Sequence, residues 1–285
     1  MKATVREIIS RGLSDASEEL LRSETIKKGY IKELARLSVK DERELLRELF
    51  AAEGCSAELS SELKASVRLV GDGENGGIFA RLLTETYEAL CGAVDDDAIF
   101  PDPSSADSSA SFVSGSGADS AFDEFSRRFH LSAVHTSRIS YSFDAVLDGD
   151  AGFCIIPVVS SNDGRLRSFY KMIDVYGMKI AAVVSVESSE NIMRYALCKR
   201  DSRPIVSAPS HMEFSVPCSG SEAMAIARAA HALGNSLIDI SSLPSERNGE
   251  IFSFTFKLGG AYKPFLLYLN LFHPSFTLIG IYDII

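Results

Sequence analysis

No apolar run in the sequence approaches the roughly 20 residues needed to span a bilayer, so a membrane-spanning helix is not expected. The opening residues Met1-Lys2-Ala3-Thr4-Val5-Arg6-Glu7 lack the apolar core of a secretory leader. Positive charge is in deficit, with 29 Lys and Arg against 39 Asp and Glu and a net charge of −10. That balance argues against a general binder of nucleic acid or of a membrane surface. Cysteine is scarce. Cys55, Cys91, Cys154, Cys198 and Cys218 are odd in number and widely spaced, and no C-x-x-C occurs. Free, buried thiols in a reducing cytoplasm are the reading this supports. The five histidines form neither H-x-x-x-H nor H-E-x-x-H, so neither a metal site nor any other cofactor is expected. There is no internal repeat. What remains is an ordinary globular composition, 46% hydrophobic and 24% charged over 285 residues, enough for two or three domains.

Glycine and proline are also sparse at the start, and residues 1–92 read as helical. Glu18 to Leu34, Asp41 to Ala52 and Ile78 to Cys91 carry apolar residues at three-four spacing with charged outer faces. A long first helix opening near Val5 is expected to be broken by Gly12 and Gly29. The cluster Gly71-Asp72-Gly73-Glu74-Asn75-Gly76-Gly77 reads as a turn. Residues 93–109 hold Asp95-Asp96-Asp97 and a run of serine and proline from Pro101 to Ser109, which read as an exposed linker.

From residue 110 to 200 strands and helices alternate. Ser111 to Val113, Ala133-Val134, Phe153 to Pro157, Met178 to Val186 and Tyr195 to Leu197 read as strands. Helices fall over Ala118 to Phe129, Ser142 to Leu147 and Leu166 to Tyr176. This alternation argues for an α/β layer with a largely parallel sheet. Residues 211–285 read strand, helix, strand, strand, helix, strand. The strands are Phe214 to Val216, Ser236 to Leu243, Ile251 to Leu258 and Ser275 to Tyr282. The helices run from Ser221 to Leu233 and from Pro264, at a first-turn position that suits proline, to Leu271. The expected fold class is therefore α+β and multidomain: helical 1–92, linker 93–109, one α/β lobe 110–200, and a βαββαβ unit 211–285.

The last of these resembles an ACT domain, a small ligand-sensing module of amino-acid metabolism, and most resembles the one that ends prephenate dehydratases. In that family a G-A-L motif opens the first helix and E-S-R-P ends the second strand. Here the same spacing holds Ser221-Glu222-Ala223 and Ser241-Ser242-Leu243-Pro244. The resemblance implies that Ser221, Glu222, Ala223, Ser241, Ser242 and Leu243 line a ligand site, with a purely structural dimer contact as the plain alternative. Backbone N–H groups at the helix start would face the ligand's carboxylate, and Glu222 or Asp239 its ammonium. It also implies a homodimer, in which the Phe252 to Phe256 strand is an apolar edge covered by pairing.

Residues 110–200 resemble the first lobe of prephenate dehydratase. The family's G-P-E-G-T-F-S loop corresponds to Ser114-Gly115-Ser116-Gly117-Ala118-Asp119-Ser120. Ser114, Gly115, Ser116 and Gly117 are candidates for an anion-binding turn before a helix, with a flexible loop as the plain alternative. Ser142 to Pro157 follows the family's F-x-x-V-F-x-A-V-x-x-G-x-A-D-Y-G-V-V-P stretch closely, but the Glu-Asn pair that comes next is Val159-Ser160 here. In the family a second lobe of roughly 80 residues then leads to N-x-T-R-F, whose threonine serves the dehydration. Here Val186 leads almost directly to Met193-Arg194, so the second lobe is missing and methionine takes the threonine's place. A thioether cannot usefully donate or accept the proton that hydroxyl departure requires. One lobe also cannot exclude water from a cleft.

The helical segment resembles an all-helical chorismate mutase. Val5-Arg6-Glu7-Ile8-Ile9 resembles the opening of its first helix, Asp41 to Leu49 its second helix and Ile78 to Thr86 its third. The resemblance makes Arg6 and Arg43 the candidates for holding a dianionic substrate by cationic hydrogen bonds. A solvated helix face with ion pairs three or four residues apart is the plain alternative. The order mutase, dehydratase, ACT is that of the bifunctional chorismate mutase–prephenate dehydratases. Each of the three sites has lost its most diagnostic residues, so the resemblance implies a non-catalytic, regulatory or small-ligand-binding protein of the cytoplasm. Its partner would be an aromatic amino acid or another metabolite of that pathway. An enzyme that keeps chorismate mutase activity is the alternative.

Overall fold

The computed structural model describes residues 5–52, 59–100, 108–187, 191–243, 250–260 and 262–285, apart from the side chains of residues 5–21, 41, 98, 116 and 243. A single helix, α1 (Val5–Asp41), runs through Gly12 and Gly29 without a break. Gly29 has open space around it. The helix is held further along, where Ile31, Ala35 and Val39 recur every fourth residue and are buried. Packing of that stripe outweighs a glycine cost of about 1 kcal/mol.

Three more helices complete the helical layer: α2 (Arg43–Leu49), α3 (Ser61–Val70), whose first turn is capped by the Ser60 side chain, and α4 (Glu74–Cys91). Gly76 and Gly77, expected in a turn, lie inside α4 and are buried. Residues Asp96–Ile99 form a short helix, α5, and Ile99 and Phe100 are buried beneath it. The part of the expected linker before residue 101 is therefore packed. Residues 101–107 lie outside the described residues.

The α/β part follows as β1 (Ser109–Val113), α6 (Ser116–Phe129), β2 (Ser132–Thr136), α7 (Ile139–Asp148), β3 (Phe153–Ser160), β4 (Gly164–Arg165), α8 (Arg167–Val175), β5 (Lys179–Glu187) and β6 (Ile192–Lys199). The chain ends as β7 (His211–Pro217), α9 (Gly220–Ala232), β8 (Ser236–Leu243), β9 (Ile251–Lys257), α10 (Lys263–Phe272) and β10 (Thr277–Ile284). Among the described residues, the ten strands belong to one mixed sheet in the order β2-β1-β3-β6-β5-β10-β7-β9-β8, with β4 paired to β3. Parallel pairing of β10 with β5 joins the α/β strands to the βαββαβ strands. At that seam Gly280 faces Ile180 so closely that a Cβ would collide with the Ile180 carbonyl.

Strand β9 is interior, paired to β7 on one side and β8 on the other. The Phe252 to Phe256 segment is therefore not the edge expected from the sequence. The edge is β8, which exposes Leu237, Ile238 and Ile240. Phenylalanine content predicts burial, but burial on two faces and pairing on two edges are separate properties, and only the first is written in the periodicity.

The cores cross the expected boundaries. One apolar cluster joins Ile31, Phe50, Phe79 and Tyr87 of the helical layer to Phe214, Phe254, Phe256 and Phe265 of the βαββαβ unit. Close approach makes this possible: a Cβ at Gly77 would lie 2.6 Å from the Ala229 carbonyl oxygen of α9, and one at Gly76 would lie 3.0 Å from the Tyr268 ring of α10. Asn270 of α10 donates to the carbonyls of Leu49 and Ala51 at the end of α2. Two smaller clusters cover the faces of the α/β strands.

Candidate functional site

The alternation of β7 and β9 builds two unlike faces. Met212, Phe214, Val216, Phe254 and Phe256 point into the apolar cluster, where Phe265 of α10 packs on Phe214 and Phe256. Glu213, Ser253 and Thr255 take the opposite face, and cross-strand register places Glu213 beside Thr255. Strand β8 adds Asp239 opposite Thr255 and Ser241 opposite Ser253. The result is an acidic, hydroxyl-rich strip on a sheet that is otherwise aromatic.

Arg165 fills this strip. It is carried by β4, a two-residue strand folded back on the end of β3. One terminal nitrogen, Nη1, donates to Ser253 Oγ at 2.8 Å and to Ser241 Oγ at 3.3 Å, with Asp239 Oδ2 at 3.9 Å. The other, Nη2, donates to Glu213 and, at 3.0 Å, to Thr255 Oγ1. The Tyr170 ring of α8 lies over the guanidinium, 4.3 Å from its carbon to the ring centroid. Tyr282 Oη donates to the second oxygen of Glu213 at 3.2 Å. The Glu213 side chain is 1% exposed. Burial pushes its carboxyl up, and the Arg165 charge together with the Tyr282 and Tyr170 hydroxyls draws it back. Burial also works against the Arg165 charge, but Glu213, Tyr170 and Asp239 more than restore it. Burial drives the Tyr170 and Tyr282 hydroxyls upward, so both stay protonated donors.

Sequence reasoning passed over Arg165, Glu213, Tyr170, Ser253 and Thr255. A signal was present in Phe252-Ser253-Phe254-Thr255-Phe256, where the small hydroxyl residues alternate with phenylalanine, and in Glu213 as a lone carboxylate within an apolar strand.

The residues expected from dehydratase resemblance meet at one end of the sheet. Ser114 follows β1, the Val159-Ser160 pair ends β3, and Met193-Arg194 begin β6, running antiparallel beside it. Register pairs Val159 with Arg194 and Ser160 with Met193. This is the carboxyl end of parallel β1 and β3, where open α/β sheets hold ligands. The groups there are already engaged. Ser114 Oγ bonds His135 Nδ1 at 2.8 Å, and the Gly115 N–H donates to Asp119 Oδ2 at 3.1 Å. A Cβ at Gly117 would collide with the Tyr195 hydroxyl. The Ser116 side chain lies outside the described residues. Arg194 is exposed and Met193 half-buried.

At the start of α9, Ser219 and Glu222 form a capping box. The Ser219 N–H donates to Glu222 Oε2 at 2.7 Å, and the Glu222 N–H donates to Ser219 Oγ. The Ser219 backbone N–H draws the Glu222 carboxyl below its usual value. Glu222 thus serves the helix itself, Ser221 Oγ lies 3.0 Å from Ser219 Oγ, and Ala223 is buried. Ser241 is tied to Arg165, Ser242 is exposed, and the Leu243 side chain lies outside the described residues. Of the basic candidates in the helical layer, the Arg6 side chain is likewise outside the described residues. Arg43 opens α2 and is exposed. Among the described residues no group of three metal-ligating side chains occurs.

No protein-family model matches the chain, and no curated protein matches it in sequence. Solved structures do. A prephenate dehydratase from Streptococcus mutans aligns with a TM-score of 0.51 and 15% identity, over 62% of this chain and 98% of that one. A prephenate dehydratase from Arthrobacter aurescens, in complex with L-Phe, gives 0.50 and 13%, over 61% and 89%. A structure described as GqqA, a novel type of quorum quenching acylase, gives 0.48 and 18%, over 61% and 94%. At such identities the likeness concerns fold alone: the chain carries a prephenate dehydratase-like α/β fold. Among the described residues no helix is long and apolar enough to cross a membrane.

Proposed function

We propose that this protein is a non-catalytic relative of the prephenate dehydratases that binds a small amino-acid ligand and acts in regulation. In this reading residues 1–92 are a mutase-like helical layer, 110–200 a single dehydratase-like lobe and 211–285 an ACT-like unit. The observation that carries the reading is the junction of β5 and β6. Only residues 188–191 separate these adjacent antiparallel strands, which leaves no length for a second lobe. A substrate at the carboxyl end of β1 and β3 would meet one wall, with Met193 where a proton-handling group is needed. An amino-acid ligand is favoured by the L-Phe complex of the Arthrobacter structure. The exposed apolar edge β8 suits a homodimer, and the described free thiols Cys91, Cys154, Cys198 and Cys218 suit a reducing cytoplasm.

Two measurements on the purified chain test this. Phenylpyruvate formation from prephenate, and prephenate formation from chorismate, are expected to stay at the uncatalysed rate. Turnover near about 10 per second in either assay returns the protein to the enzymes. Calorimetric titration with phenylalanine and tyrosine is expected to show saturable binding, and its absence for both removes the aromatic amino-acid reading.

A further inference from the structure

We propose that the polar face of β7, β8 and β9 is a guanidinium-binding site, that Arg165 occupies it from within the chain, and that a free guanidino compound is the ligand it exchanges for. The geometry of the occupant defines the ligand class. Both terminal nitrogens of Arg165 donate twice, to Ser253 and Ser241 on one side and to Glu213 and Thr255 on the other. These acceptors lie on three strands of one rigid sheet, so they are arranged independently of the residue that fills them. The Arg165 guanidinium carbon also lies over the Tyr170 ring, 4.3 Å from its centroid. A flat, charged fork satisfies this set. An ammonium group, a single nitrogen with three tetrahedral donors, cannot reach the two separated pairs of acceptors.

The occupant is held differently from its site. Arg165 sits on a two-residue strand beyond a turn of exposed residues, Ser161, Asn162 and Asp163, whereas Glu213 lies in the middle of the sheet. Release of the β3–β4 hairpin would uncover a buried carboxylate and three hydroxyls with no cation. Burial already pushes the Glu213 carboxyl up, so the emptied site calls for a replacement cation or a proton. A guanidino ligand that takes the place of Arg165 therefore frees the hairpin, and the hairpin reports occupancy to the end of β3.

The inference deepens the ligand-binding reading by naming a class, and it is tested separately from it. In the full-length Arg165→Ala protein, methylguanidinium is expected to bind at least tenfold more tightly than methylurea, its neutral isostere, by calorimetry or NMR. Adding Glu213→Gln should abolish the difference. Equal affinity for the two probes, or binding that survives Glu213→Gln, overturns the site. Should Arg165→Ala fail to fold, Arg165→Met keeps the apolar stem and serves the same titration. In the unmodified protein, L-arginine but not L-citrulline is expected to raise hydrogen exchange across residues 161–166. No rise at saturating L-arginine overturns the exchange and leaves Arg165 a fixed structural tie. Phenylalanine binding without methylguanidinium binding would sink this inference alone; the reverse would sink the aromatic amino-acid reading alone.

Discussion

Two carboxylates, Glu213 and Asp72, tie distant parts of the chain together, and each yields an expected outcome. Glu213 is buried and paired, so removing Arg165 leaves an uncompensated charge. Arg165→Ala is expected to lower stability by about 3–5 kcal/mol, read by chemical denaturation. Arg165→Ala with Glu213→Gln should lose less than the sum of the two single changes, because the second removes the charge the first orphans. Asp72 precedes α4 and accepts from the Tyr268 hydroxyl and the Gly73 N–H, with His273 Nε2 at 3.4 Å. Burial pushes its carboxyl up, but His273, Tyr268 and Gly73 outweigh it and hold it below the usual value. A depressed folded value means that the stabilisation is complete above the unfolded value of about 3.9 and is lost as pH falls through the folded one. The melting temperatures of Asp72→Asn and the unmodified protein should therefore converge in acid and separate above about pH 4. A constant gap across that range would show that the charge contributes nothing.

At the scale of elements, the sequence was legible where periodicity and glycine punctuation act locally. The strands of the βαββαβ unit and the helices from α6 to α8 fall where alternation and three-four spacing put them. Gly149, with φ 84°, ends α7 in the left-handed conformation that suits glycine. Elements fixed by distant partners were not legible. Gly76 and Gly77 look like turn residues until α9 and α10 are in place, because only then is their lack of a side chain a packing requirement. Strand β4 is too short to show any period, so Arg165 gave no sign of itself, while the serines and glutamate that receive it were half visible as polar letters in apolar strands. The candidate ligand residues Ser221 to Ala223 were located correctly at a helix start, but that Glu222 would cap its own helix depends on Ser219, which the motif comparison did not include. Gly77→Ala tests the packing argument. Alanine favours an isolated helix by about 1 kcal/mol, yet the added carbon meets the Ala229 carbonyl at 2.6 Å. Net destabilisation of about 1–3 kcal/mol is expected, measured by denaturant titration. A more stable variant would mean that α4 and α9 can separate freely.

Across the described residues, one sheet runs through the α/β strands and the βαββαβ unit, and one of three apolar clusters joins that unit to the helical layer. A fragment of residues 108–285 would strip α4 from Ala229 of α9 and from Tyr268 and Phe272 of α10, and so expose an apolar helical surface. It is expected to aggregate or to melt without a cooperative transition, and a sharp two-state unfolding of that fragment would show that the helices are dispensable. The seam between β5 and β10 has a consequence for how the chain is made. Strand β5 gains its second neighbour only once β10, about 100 residues later, has been formed, and the apolar stripe of α4 waits longer still for α9 and α10. Contacts of such separation fold slowly. During synthesis, helices that emerge first must therefore keep their apolar faces uncovered for seconds, at roughly 5–20 residues added per second. That interval is when this protein would depend on a chaperone.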